Sequence, residues 1–181
     1  MTICSISATE WLEQVAPNDP QWRPEDAIRL APILAEHGVD LLDVSSGGID
    51  SRQRMIVGEA YQAHFAGAIK EAVGEKLLVG SVGGLGSGPV AEKVLEKGQA
   101  DVVFVGRQFQ KNPGLVWKMA DELGVGVVQA KQIGWGFYGR GRIAPNKETK
   151  LWTNQLLQIL CNHVVDVERH VFRVVILDLI Q

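Results

Sequence analysis

The chain has 181 residues, 46% of them hydrophobic and 22% charged, an ordinary composition for a globular protein able to bury one core. Its 18 basic and 21 acidic residues leave a net charge of −3 with no basic stripe, which argues against a nucleic-acid partner. No uninterrupted apolar run reaches the ~18 residues of a membrane span, and no basic-then-apolar leader opens the sequence, so a soluble cytoplasmic protein is expected.

The first predicted strand is Ile3 to Ala8. A polar loop with Pro17, Asn18, Asp19 and Pro20 follows, and Pro24 then stands where a first-turn proline belongs, with Glu25 and Asp26 suiting a helix N-terminus. Ile28, Leu30, Ala31, Ile33, Leu34 and Ala35 supply the apolar face of that helix, Pro32 interrupts it, and Gly38 stops it. Val39 to Val44 reads as the second strand, ending in the loop Ser45-Ser46-Gly47-Gly48. Tyr61 to Val73 reads as a helix, Leu77 to Val82 as a strand, Val90 to Lys97 as a helix, Val102 to Val105 as a strand, and Pro113 to Leu123 as a further helix. Buried strands alternating with amphipathic helices predict a parallel α/β sheet, because parallel strands need helical crossovers. A Rossmann-like sheet competes, but Gly83-Gly84-Leu85-Gly86-Ser87-Gly88 lacks the full dinucleotide spacing.

Two of these strands run into glycine: Val82-Gly83-Gly84, and Val105-Gly106-Arg107. In a parallel barrel, adjacent strand ends of this kind offer backbone N–H groups and a fixed positive charge to a phosphate. Glycine permits close backbone approach, and a guanidinium presents a fork of donors. An ordinary tight turn and a solvated arginine are the bland alternatives. The remaining reactive side chains form no pattern. Cys4 and Cys161 match no metal or redox spacing and read as buried thiols of a reducing compartment. His37, His64, His163 and His170 form no i,i+4 pair, and no metal site is expected.

Three segments carry a family resemblance: Ile6-Ser7-Ala8-Thr9-Glu10-Trp11, Gly38 through Gly48, and Asp101 through Arg107 with Asn112-Pro113. Together they resemble the Old Yellow Enzyme family, and within it the NADPH dehydrogenase or ene-reductase members, which are FMN-binding (β/α)8 TIM barrels. The likeness is to strands five to eight only. It implies a partial barrel over residues 1–145; residues 146–181 carry no such resemblance and read from their own pattern as an atypical tail, helical and then β-branched.

The resemblance further implies FMN as cofactor, NADPH as reductant, and an activated alkene (an α,β-unsaturated carbonyl) as small-molecule substrate. By the same resemblance Gly83, Gly84, Gly106 and Arg107 hold the FMN phosphate, and Ser45, Ser46 and Gly47 border the flavin or substrate pocket, with a helix-capping turn as their plain alternative. Trp135, Phe137 and Tyr138, with Arg140 and Arg142, fall where family members have a segment reaching the flavin rim or a neighbouring subunit; an exposed glycine-rich loop is the alternative.

Two departures stand beside the matches. Ser5 occupies the position where the family carries a flavin-facing arginine. The positions that bind the substrate carbonyl and donate a proton have no counterpart, so no catalytic residue is assigned. A partial barrel exposes strand edges, which calls for self-association or a complementing N-terminal half. Two other readings stay open. One is a non-catalytic flavin-phosphate-binding fragment. The other is a sugar-phosphate lyase or isomerase, which needs a catalytic Lys or Glu where this chain has Ser45, Ser81 and Arg107.

Overall fold

The computed structural model describes residues 1–127, 130, 132–139 and 174–175. Four strands and five helices precede residue 125: β1 (Ile3–Ser7), α1 (Pro24–Glu36), β2 (Leu41–Ser45), α2 (Ala63–Val73), β3 (Leu78–Val82), α3 (Gly88–Glu96), β4 (Val102–Phe104), α4 (Arg107–Lys111) and α5 (Leu115–Leu123). A short helix α6 (Gly134–Tyr138) and a two-residue strand β5 (Val174–Val175) follow. All strand pairs are parallel, and the order in the sheet is β1-β2-β3-β4-β5. Sequential order across four strands excludes the Rossmann arrangement, in which the fourth strand lies beside the first.

The register shows that the helices share one face. Leu42 pairs with Val79, Val44 with Ser81, and Ser81 with Val103, so these side chains point the same way. Leu42, Val44 and Val79 pack on Ala27 and Ala31 of α1 and on Phe65, Ala66, Ile69 and Val73 of α2. Val103 packs on Ala91 and Val94 of α3 and on Leu115 and Met119 of α5. The opposite face carries Leu41, Val102 and Phe104, with Leu78 and Val82 against them. Such one-sided winding makes a parallel α/β sheet of the kind that curves into TIM-type barrels.

Local chemistry accounts for the element ends. Trp22 closes the end of β1 by donating from its indole to the Ser7 carbonyl at 2.7 Å. Helix α1 runs through Pro32, and Asp26 caps its start by accepting from the Arg23 N–H at 3.0 Å. At the opposite end of the sheet, Asp101 accepts from the Val79 N–H at 2.9 Å and from Lys70 Nζ at 2.6 Å, tying α2 to β3 and β4. Among the described residues, no helix is long and apolar enough to cross a membrane.

Candidate functional site

The loops that leave the carboxyl ends of β1 to β4 lie side by side, because the strands are parallel and adjacent. They contain Ser46, Gly47, Gly83, Gly84 and Gly106, with Ser45 closing β2 and Arg107 opening α4. Gly83 and Gly84 follow β3 directly, with φ of +98° and +69°. A Cβ on Gly83 would lie 2.5 Å from Gln62 Nε2 and 2.7 Å from the Tyr61 ring, and one on Gly84 would overlap the Gly58 carbonyl. Both glycines are therefore demanded by the protein itself, through backbone conformation and close packing of the 58–62 loop.

Gly106 differs. Its φ is −99°, and among the described residues a Cβ there would meet nothing within 4 Å. Neither strain nor packing against the described residues requires glycine at this point, and the next residue, Arg107, is exposed. Among the described residues, the N–H groups of Gly83, Gly84, Gly106 and Arg107 meet no hydrogen-bond acceptor. They are four unsatisfied donors at two neighbouring strand ends. The start of α3, by contrast, is already occupied: Glu122 accepts from the Gly88 N–H at 2.7 Å, and that bond, with Lys118 beside it, holds the Glu122 carboxyl below its ordinary range. An incoming anion thus meets free donors at Gly83–Gly84 and Gly106–Arg107, and a carboxylate at α3.

The loop after β2 is internally committed. Ser45 donates to the Ile6 carbonyl at 3.2 Å. Ser46 accepts from the Trp11 indole at 2.9 Å and donates to Gln62 Oε1 at 2.5 Å. Gly47 has φ of +70° and backs onto Met55 and Trp11. The Ser45 hydroxyl joins β2 to β1 and the Ser46 hydroxyl joins loops, roles that their sequence context did not announce.

On the face of the sheet away from the helices, Ser5 pairs with Asp43 across β1 and β2 and donates to its Oδ2 at 2.8 Å. Asp43 is 7% exposed, and its Oδ1 has no partner among the described residues. Burial pushes its pKa up, and the Ser5 bond offsets this only in part. This buried carboxylate was missed in the sequence, where one acidic residue inside an apolar run gives no sign of the face it takes. Gln62, buried at 3% exposure in the loop before α2, was missed for a similar reason.

The other nominated side chains are dispersed. Phe137 packs edge-on against Trp117 of α5 with ring centroids 4.8 Å apart, and Trp135 is exposed. The segment around them is the short helix α6. His37 bonds the Ile33 carbonyl, and His64 lies against the Phe65 ring. Arg140, Arg142, Cys161, His163, His170 and the tail apart from Val174–Val175 lie outside the described residues.

A singly wound parallel α/β sheet with free N–H donors and an arginine at adjacent strand ends defines a candidate site for a phosphate-bearing ligand. No family model matches the chain. An NADH:flavin oxidoreductase of Gibberella zeae is 50% identical over 143 residues, spanning 76% of this chain and 34% of the relative. NADPH dehydrogenases of Bacillus pumilus and Geobacillus thermodenitrificans are 39% and 40% identical, spanning 59% and 62% of this chain and 31% and 33% of themselves. Over that part the chain is similar to these curated relatives of the Old Yellow Enzyme family, and it spans about a third of their length. A solved Eimeria tenella DHODH complexed with ferulenol aligns at 19% identity and a TM-score of 0.46, covering 67% of this chain and 32% of that one, too distant a likeness to carry weight.

Proposed function

We propose that this chain is the FMN-phosphate-binding part of an NADPH-dependent oxidoreductase that reduces activated alkenes, built as strands five to eight of a TIM-type barrel. The observation that carries the reading is the set of free N–H groups at Gly83, Gly84, Gly106 and Arg107, together with the unfilled space at Gly106. In this reading the N–H groups and the Arg107 guanidinium bind the phosphate oxygens of FMN, which charge-assisted hydrogen bonds favour. Gly106 lets the phosphate approach the backbone, and the β2 loop with Ser45 and Gly47 walls the neighbouring rim. The chemistry that bound FMN supplies is hydride transfer from a reduced nicotinamide to the β-carbon of an α,β-unsaturated carbonyl. The homologues' names, NADH:flavin oxidoreductase and NADPH dehydrogenase, support the redox class.

A second reading is favoured by one observation. Ser5 stands where the family resemblance expects a cation facing the flavin ring, and the neighbouring Asp43 carboxylate is left half-paired. The phosphate end of the site fits FMN, whereas the ring end of this sheet lacks the expected charge. A chain that binds FMN without turnover follows, with a complementing N-terminal half or a second copy supplying the rest.

The test is the visible spectrum of the purified chain after incubation with FMN and removal of free ligand. A stoichiometric flavin band near ~450 nm, lost in Arg107→Ala, is expected. Bleaching by NADPH and reoxidation by a simple cyclic enone support the oxidoreductase; a retained but unbleached band supports the non-catalytic reading. No band in the unaltered chain refutes both.

A further inference from the structure

Three loops at the carboxyl end of the sheet are joined by one partly buried chain of hydrogen bonds, and Gln62, itself buried, is its centre. The Val82 carbonyl, one residue before Gly83, accepts from Gln62 Nε2 at 2.9 Å. A carbonyl requires a donor, so the amide nitrogen must face Val82 and the amide oxygen must face Ser46. Ser46 then donates to that oxygen at 2.5 Å and uses a lone pair to accept from the Trp11 indole at 2.9 Å. No arrangement with the amide reversed satisfies all partners. The glutamine also fills the space over Gly83, since a Cβ on Gly83 would lie 2.5 Å from Gln62 Nε2.

Strain marks Trp11 at one end of the network and Ala60, which lies outside it beside Gly84. Trp11 and Ala60 have φ of +54° and +50°, a conformation that non-glycine residues adopt at some cost. Trp11 gives its indole N–H to Ser46, and Ala60 gives its backbone N–H to the Gly84 carbonyl at 3.3 Å. The Ala60 bond thus holds one unfavourable backbone turn against Gly84, and the Trp11 bond ties the other to Ser46.

We infer that Gln62 is the positioning residue that aims the Gly83 and Gly84 N–H groups at the ligand phosphate, and that it transmits the positions of the Trp11 and Ser46 loops to them. This rests on the flavin-phosphate reading above. Gln62 touches no ligand itself; it fixes Val82 and thereby the peptide planes that follow.

Two ligands separate positioning of the phosphate from general damage: FMN, and riboflavin, which lacks the phosphate. Gln62→Leu removes both amide bonds and is expected to weaken FMN binding about ten-fold or more while riboflavin stays within about two-fold. Gln62→Glu at about pH 7.5 keeps the acceptor for Ser46 but has no donor for Val82, and is expected to behave like the leucine variant. Ser46→Ala removes the remote arm alone and is expected to cost about three-fold for FMN only; it decides the comparison if Gln62→Leu does not fold. Equal losses for FMN and riboflavin, or no loss for either, overturn the inference. An unaltered chain that binds neither ligand refutes the flavin reading, and the amide 1H–15N signals of Gly83 and Gly84 then decide. Displacement of those signals in Gln62→Leu supports the positioning role, and unmoved signals overturn it.

Discussion

Replacing Gly106 by alanine separates a glycine that the fold needs from one that a ligand needs. At Gly84 the two requirements cannot be parted, because φ is +69° and a Cβ would overlap the Gly58 carbonyl. At Gly106 the backbone has φ of −99°, and the added methyl meets nothing within 4 Å among the described residues. Alanine there loses less conformational freedom on folding, so the variant should be unchanged in stability or gain about 0.4–1 kcal/mol. The same methyl would stand in the space between the strand end and a bound phosphate. It would weaken at least one charged hydrogen bond, a cost of about 1.5–3 kcal/mol, or roughly ten-fold to a hundred-fold in Kd. Urea unfolding followed by circular dichroism gives the first quantity, and quenching of FMN fluorescence gives the second. Stability that falls by more than about 1 kcal/mol would show that the space is not open. Unchanged FMN affinity in a stable variant would show that no phosphate approaches Gly106.

Substitutions at Gly80 and Asp43 probe the sheet face away from the helices. Gly80→Ala would drive a Cβ into the Phe104 ring, which is 2% exposed, and should cost about 1–3 kcal/mol. Adding Phe104→Leu should recover part of that loss, and strictly additive costs in a urea-melt cycle would contradict the contact. At Asp43, burial raises the folded pKa above the unfolded value of about 3.9, so the folded state binds more protons and stability falls as pH rises through and above that value. Asp43→Asn removes this dependence, so its stability relative to the parent chain should improve between about pH 4 and pH 7. A difference between the two proteins that stays constant with pH would rule out Asp43 as the cause.

Much of the sheet was legible in the sequence because its punctuation is local. Pro24 and Gly38 bracket α1, whose observed span ends at Glu36, and glycines follow β3 and β4 where the chain turns. The boundaries that moved did so for tertiary reasons. Helix α3 starts at Gly88, not Val90, because Glu122 of α5 satisfies the Gly88 N–H. Helix α2 starts at Ala63, not Tyr61, because Tyr61 and Gln62 pack over Gly83. Helix α5 begins at Leu115 because Asn112 accepts from the Gly114 N–H at 3.0 Å and forms a separate turn before it. For the candidate site, apolar runs ending in glycine sufficed to place Gly83, Gly84 and Gly106 at strand ends. The commitments of Ser46, Gln62 and Asp43 depend on register between segments up to 38 residues apart, which no local pattern encodes.

The two ends of the proposed flavin site depend on different parts of the fold, and this bears on what the chain can do alone. The phosphate end draws on β3, β4 and the loops after them, whose donors are free and whose backbone is braced by Gln62 and Ala60. The ring end draws on β1 and β2, where Ser5 satisfies one oxygen of Asp43 and nothing among the described residues satisfies the other. An unpaired buried acceptor costs about 1–3 kcal/mol, so in the proposed site β1–β2 bears the unmet polar group while β3–β4 would supply the phosphate donors. If affinity comes chiefly from the phosphate, FMN should bind much more tightly than riboflavin even when turnover is absent. A group from the remainder of the relatives' length, or from a second copy, that donates to Asp43 Oδ1 should raise stability and leave that preference for FMN intact. Loss of the preference on such pairing would mean that the ring, and not the phosphate, anchors the ligand.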